Sequence, residues 1–271
     1  MNHDTTLLYA LGLYAAATAL LYRSIITGSR RWRHVSLGAA LAGAALHGAA
    51  QWQHWSTSGM PDVGFLNLLS LCALVIVVML CLSALSRDSL FDASLVALPL
   101  AVLVLILEWS LPSERLLVEI DSWGTAAHIV SSVLAFGLFS IAGVYALFVV
   151  AIDHFLRSHH LNPLVQALPA LDVLERLLFR LLGAGFVLLT VSLATGLAYV
   201  QDLFAQHLAH KTLLSFLAWF VFGTLLLGRW RYGWRGRRAV WLSLAGVVLL
   251  LLAYFGSKLV LEVILDRNWW V

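Results

Sequence analysis

The stretch WGTAAHIVSSVLAFGLFSIAGVYALFVVAID, residues 123–153, is almost wholly apolar, yet it carries one imidazole, His128, near its start. About 20 such residues, wound at 1.5 Å each, cross the roughly 30 Å hydrocarbon layer of a bilayer. A chain in lipid has no water to bond, so its backbone must close its own hydrogen bonds as a helix or a closed barrel. Unbroken apolar runs, rather than ten-residue alternation, select the helix.

Further runs of this kind surround it. Eight hydrophobic segments are predicted, at about 5–22, 34–52, 65–86, 92–111, 124–152, 179–201, 212–228 and 239–258. The composition agrees: 61% of the 271 residues are hydrophobic and 11% charged, against about 25% charged in a soluble domain. The fold class is all-α, a polytopic membrane helical bundle of about eight transmembrane helices, read as a single integral-membrane domain over 1–271. The first segment opens with Asn2, His3 and Asp4 rather than a basic region, and no A-x-A cleavage site follows, so it reads as a retained span.

Basic residues set the expected orientation. Thirteen of the 17 Lys and Arg fall in the connections after segments 1, 3, 5 and 7, among them Arg30, Arg31, Arg33, Arg235, Arg237 and Arg238. Those connections are expected to be cytoplasmic and both termini to lie on the outer side. GRWRYGWRGRR, 228–238, then reads as a cytoplasmic turn near lipid headgroups. A net charge of +3 distributed in this way gives no reason to expect nucleic acid. In the largest cytoplasmic connection, 153–178, Leu171, Leu174, Leu177 and Leu178 recur at helical spacing, which predicts a short interfacial helix after Pro169. Cys72 and Cys81 are nine residues apart, on opposite faces of one helix, so they are expected as small apolar residues, not a disulfide.

The topology sorts the ten histidines. His34, His154, His159 and His160 fall near the cytoplasmic surface, and His3, His54, His207 and His210 near the outer one. His47 and His128 fall inside or at the edge of spans, at similar depth on the outer side. An ionisable residue in a span points to function because its burial is costly. A neutral imidazole nitrogen is also a common ligand for haem iron. His128 and His47 are therefore the metal-ligand candidates. His207, His210 and Trp123 are further cofactor-binding candidates. An interhelical hydrogen bond is the alternative role for an intramembrane histidine, and a belt position the alternative for Trp123. Ser131, Ala135, Ala142, Gly143 and Ala146 give the His128 helix a small-residue face for close packing. Glu108 is read as a pore or proton residue, or as interfacial. No P-loop, GxSxG, HExxH or CxxCH motif occurs.

Three stretches carry a resemblance: FLNLLSL at 65–71, HIVSSVLAFGLFSIAGVYAL at 128–147, and LAWFVFGTLLLGRWRYGWRGRRAVWLSLAGVVLLLLAYFGSK at 217–258. The region from about 65 to 260 resembles the CcsA/CcmC-type cytochrome c assembly proteins, membrane handlers of haem. Its nearest likeness is to their shorter bacterial relatives, the YpjD-like inner-membrane proteins and HemX. The resemblance implies haem b as cofactor, a place in the bacterial inner membrane, and His128 at the family's first outer-face haem-ligand position. His47 matches a histidine of the YpjD-like group. The family's tryptophan-rich segment, WGxxWxWDPKE, corresponds here to DLFAQHLAHKTLLSFLAW, 202–219. Lys211 and Trp219 keep their spacing, but Gln206, His207, Leu208 and Ala209 replace the aromatic core. Further family histidines fall at Leu227 and near Leu265. The expectation is therefore an accessory haem-handling protein in cytochrome c assembly rather than an enzyme that ligates haem. Its expected partners are the lipid bilayer, haem, and other cytochrome assembly proteins. The alternatives are a HemX-like regulator acting on a cytosolic haem-synthesis enzyme, and a small-solute or ion transporter.

Overall fold

The computed structural model describes residues 3–60, 62, 64–84, 88–111, 122–158, 170–199 and 206–256. Eight α-helices form among them: α1 His3–Thr27, α2 Arg30–Ser58, α3 Phe65–Ala84, α4 Ser94–Ser110, α5 Trp123–Ser158, α6 Leu171–Tyr199, α7 Gln206–Tyr232 and α8 Arg237–Leu251. A 3-10 turn, Asp88–Ala93, leads into α4, and α8 ends in a widened turn, Leu252–Gly256. Seven of the eight are long and apolar enough to cross a membrane. This is a multi-pass, all-helical membrane protein. The exception is α2: at 29 residues it is long enough, but His47, Gln51 and Gln53 dilute its apolar content.

The expected interfacial helix after Pro169 does not form as a separate element. Leu171 opens α6, which runs unbroken for 29 residues to Tyr199. Leu174, Leu177 and Leu178 are buried. Their periodicity was that of the core-facing stripe of the span itself. Of the connection before it, residues 159–169 lie outside the described residues, as does the acidic segment 112–121.

The chain forms two compact units, residues 1–119 with 151–171, and residues 120–150 with 172–271. In the first, α1 lies along α2 and α4, and α3 packs on α4. Leu7, Ala10, Tyr14, Ala17 and Leu21 follow the 3-4 spacing of one helix face, and all are buried. Helices in lipid gain little from removing apolar surface from water, so close packing decides their association. Small residues supply it here: Ala10, Ala17, Ala40 and Ala44 line the seam. Gly43 lies so close to Tyr14 that an added Cβ would come within 2.8 Å of the ring. Ser36 Oγ–H donates to the Ala17 carbonyl across the same seam, at 2.7 Å. Arg33 pairs with Asp92 at 2.8 Å and ties α2 to the 3-10 turn. Cys72 and Cys81 are free and buried.

In the second unit the small face of α5 is used as expected. Ser131, Ala135, Ala142 and Ala146 are buried, and Gly143 faces Val247 of α8. Phe139 of α5 stacks on Phe222 of α7, with centroids 3.9 Å apart. Two glycines seat that stack: a Cβ on Gly185 of α6 would come within 3.1 Å of Phe139, and one on Gly246 of α8 within 2.5 Å of Phe222. One aromatic pair thus touches all four helices. Between α7 and α8 the chain turns at Gly236, whose φ of 59° suits a residue without Cβ. The Gly236 N–H donates to Glu175 Oε1 of α6 at 2.9 Å.

Candidate functional site

His128 lies on the second turn of α5, half-buried. Its Nδ1 is 2.8 Å from the Ser192 carbonyl oxygen of α6. A carbonyl only accepts, so Nδ1 carries the proton and donates. The neutral ring then keeps its lone pair on Nε2, which bonds to nothing among the described residues. The contact depends on Gly196, one turn further along α6. A Cβ there would come within 2.9 Å of Cε1 and 3.0 Å of Nδ1. In a regular helix the Ser192 carbonyl accepts from the Gly196 N–H, so the bare Gly196 backbone leaves its flank open to the imidazole. Thr195 Oγ1–H donates to the same carbonyl at 3.1 Å. Ser131 Oγ–H, on the next turn of α5, donates to the Ala127 carbonyl at 2.6 Å.

Trp123 opens α5 and is 72% exposed. Its indole meets the Tyr199 ring edge-on at 5.2 Å, over Gly124, which the Tyr199 ring covers. Trp123 and His128 thus both brace α5 against the final turns of α6. His207 and His210 fall in the first two turns of α7; their side chains lie outside the described residues.

His47 belongs to the other unit and sits at its centre, with no exposed surface. Its Nε2 is 2.8 Å from Ser70 Oγ of α3, and its Nδ1 is 3.3 Å from Tyr14 Oη of α1. Gln51, one turn along α2, donates from Nε2 to Ser70 Oγ at 3.0 Å and to Glu108 Oε1 of α4 at 3.2 Å. A polar chain therefore links all four helices of this unit. Beyond Glu108, Asp62 gathers His54 Nε2 at 3.1 Å, Asn67 Nδ2 at 2.7 Å and the Gly64 N–H at 2.9 Å. His3 lies against His54, ring centroids 5.5 Å apart. Sequence reasoning left His3 and His54 as surface residues and did not assemble this network. Its signal was nonetheless legible: positions 47, 51 and 54 repeat at four and three, one face of a helix. Ser192 and Gly196 had no such signal.

Residues 47–265 match the family described as cytochrome C assembly protein. The chain belongs to that family. Among its relatives, the inner membrane protein YpjD of Escherichia coli (strain K12) is 34% identical over 259 residues, 95% of this chain and 98% of YpjD. An uncharacterised 28.8 kDa protein of Azospirillum brasilense is 40% identical over 140 residues, 51% of this chain and 52% of that one. The cytochrome c biogenesis protein CcsA of Gloeobacter violaceus is 29% identical over a shorter stretch, 36% of this chain and 30% of CcsA. No solved structure matches.

Cytochrome c assembly concerns haem, and the two candidate histidines, His128 and His47, differ in what their nitrogens are free to do. A haem-ligating histidine characteristically presents one nitrogen to iron and anchors the other on a carbonyl or carboxylate, which fixes ring and tautomer. His128 has that arrangement, with Nδ1–H on Ser192 and Nε2 open. His47 has both nitrogens engaged and no exposed surface, so taking iron would require giving up Ser70 or Tyr14. Among the described residues, no three of His, Cys, Asp and Glu gather as a metal-ion site.

Proposed function

We propose that this protein binds haem b through His128 and handles it as an accessory of cytochrome c assembly in the bacterial inner membrane. One observation carries the reading: the His128 ring is tautomerically fixed by the Ser192 carbonyl and presents an unshared Nε2 lone pair. Family membership supplies the context, and the likeness to the inner membrane protein YpjD supplies the membrane. Haem would bring redox-active iron. The protein's own part would be to hold the porphyrin beside α5 and offer the His128 imidazole to its iron. Ser192 keeps that imidazole from rotating, and Trp123 flanks the same end of α5. The accessory role rests on residues 206–209, where Gln206, His207, Leu208 and Ala209 offer no aromatic cradle.

The test is an absorption spectrum of protein purified after haem-replete expression. A Soret band is expected in the wild type, and His128→Ala should abolish or shift it while helicity is retained. A wild-type preparation without the band, or a variant with an unchanged spectrum, refutes the proposal.

A further inference from the structure

The turn between α7 and α8 carries a groove that the haem reading does not use. Two candidate spans meet there, one ending at Tyr232 and the next opening at Arg237, so the turn lies at the membrane boundary. The stretch 228–238 holds five arginines and no carboxylate. One of the five shapes the turn: Arg229 Nη1–H donates to the Trp234 carbonyl at 3.2 Å, and its guanidinium lies over the Phe179 ring of α6. The Trp234 ring covers Gly228, where a Cβ would not fit. Glu175 of α6 accepts from the Gly236 N–H. Packing and hydrogen bonds thus hold the turn in one shape.

The groove, of about 530 Å³, is lined by Trp234, Arg237, Arg238, Trp241 and Leu242. Arg237 and Arg238 are exposed, and neither side chain has a hydrogen bond or ion pair among the described residues. Trp241 and Leu242 stand one helical turn further along α8, about 5–6 Å into the span. Trp241 is 62% exposed. The lining therefore grades from guanidinium to apolar within one turn. Guanidinium groups bind phosphate through paired N–H donors. A soluble phosphate would use the arginines alone, whereas a phospholipid uses both ends of the gradient. A zwitterionic headgroup would bring its own cation toward the arginines, and an anionic one would not. We propose that this groove binds an anionic phospholipid. Arg237 and Arg238 hold its phosphate, and Trp241 and Leu242 take the first part of its acyl chain. The haem reading plays no part in this.

The probe is dioleoylphosphatidylglycerol, titrated in mixed micelles into delipidated full-length protein. Dioleoylphosphatidylcholine and soluble glycerol 3-phosphate are the references. Phosphatidylglycerol should raise the melting temperature saturably, and neither reference should. Arg237→Gln/Arg238→Gln should move the half-saturation concentration upward by about tenfold or more. Arg30→Gln/Arg31→Gln removes the same charge from the first turn of α2, in the other unit, and should leave half-saturation unchanged. Should the Arg237→Gln/Arg238→Gln variant fail to fold, Trp241→Ala, at an exposed position, should raise half-saturation by about fivefold. An equal rise with phosphatidylcholine would assign the effect to acyl chains, and one with glycerol 3-phosphate to a free phosphate. Either result, no rise at all, equal shifts in the two double variants, or half-saturation unmoved by the groove substitutions overturns the proposal.

Discussion

Gly196→Ala is the sharpest test of how His128 is held. The new methyl would come within 2.9 Å of Cε1 and 3.0 Å of Nδ1, about half an ångström or more inside ordinary contact between carbon atoms. The backbone of α6 cannot yield, because Ser192 and Gly196 belong to one helical turn, so the imidazole must retreat. Retreat by that much takes Nδ1 from 2.8 Å to beyond good hydrogen-bonding distance from the Ser192 carbonyl. Overpacking of this kind costs about 1–3 kcal/mol, and the lost hydrogen bond about 0.5–1.5 kcal/mol. Free to turn, the ring no longer presents Nε2 in one direction, and haem affinity should fall by about tenfold or more, since each 1.4 kcal/mol is a factor of ten. Spectral titration of the purified protein with haem measures this, alongside its melting temperature. Gly183→Ala on the same helix is the control: a Cβ there meets nothing within 4 Å, and the better helix former should leave haem binding unchanged. Unaltered affinity and spectrum in Gly196→Ala, with the fold intact, would refute the claim that Ser192 anchors the ring.

Gly246→Ala should destabilise the second unit by about 1–3 kcal/mol, read as a lower melting temperature, because its Cβ would come within 2.5 Å of the Phe222 ring. Trp219→Phe keeps the stack on Phe186 but loses the 2.9 Å Nε1–H bond to Thr190 Oγ1; it should cost about 1 kcal/mol, and Trp219→Ala clearly more, in detergent unfolding. A compartment-sensitive reporter inserted at Gly233 should read cytoplasmic, and one fused to either terminus should read extracytoplasmic, as the arginine distribution proposes. The opposite pattern would reverse the assignment of both faces.

The helices were legible in the linear chain because hydropathy is a local property. Each span needs only its own residues to be apolar over enough length, and all eight predicted segments correspond to helices. The one misread element, Leu171–Leu178, had the right periodicity and the wrong role, since a stripe of leucines looks alike on an interface and on the core side of a span. His128 stood out because a lone imidazole in lipid is costly. Its anchor did not: Ser192 lies 64 residues away, and which carbonyl meets the ring depends on how α5 and α6 are rotated and set in register. The same holds for His47, whose partners Tyr14 and Ser70 are 33 and 23 residues distant, and for Glu108, joined to Gln51 across 57. Composition and pattern decided that the chain would become helices in a membrane. Packing decided which polar groups face one another, because interhelical hydrogen bonds are fixed by relative position in space, and no local pattern carries that.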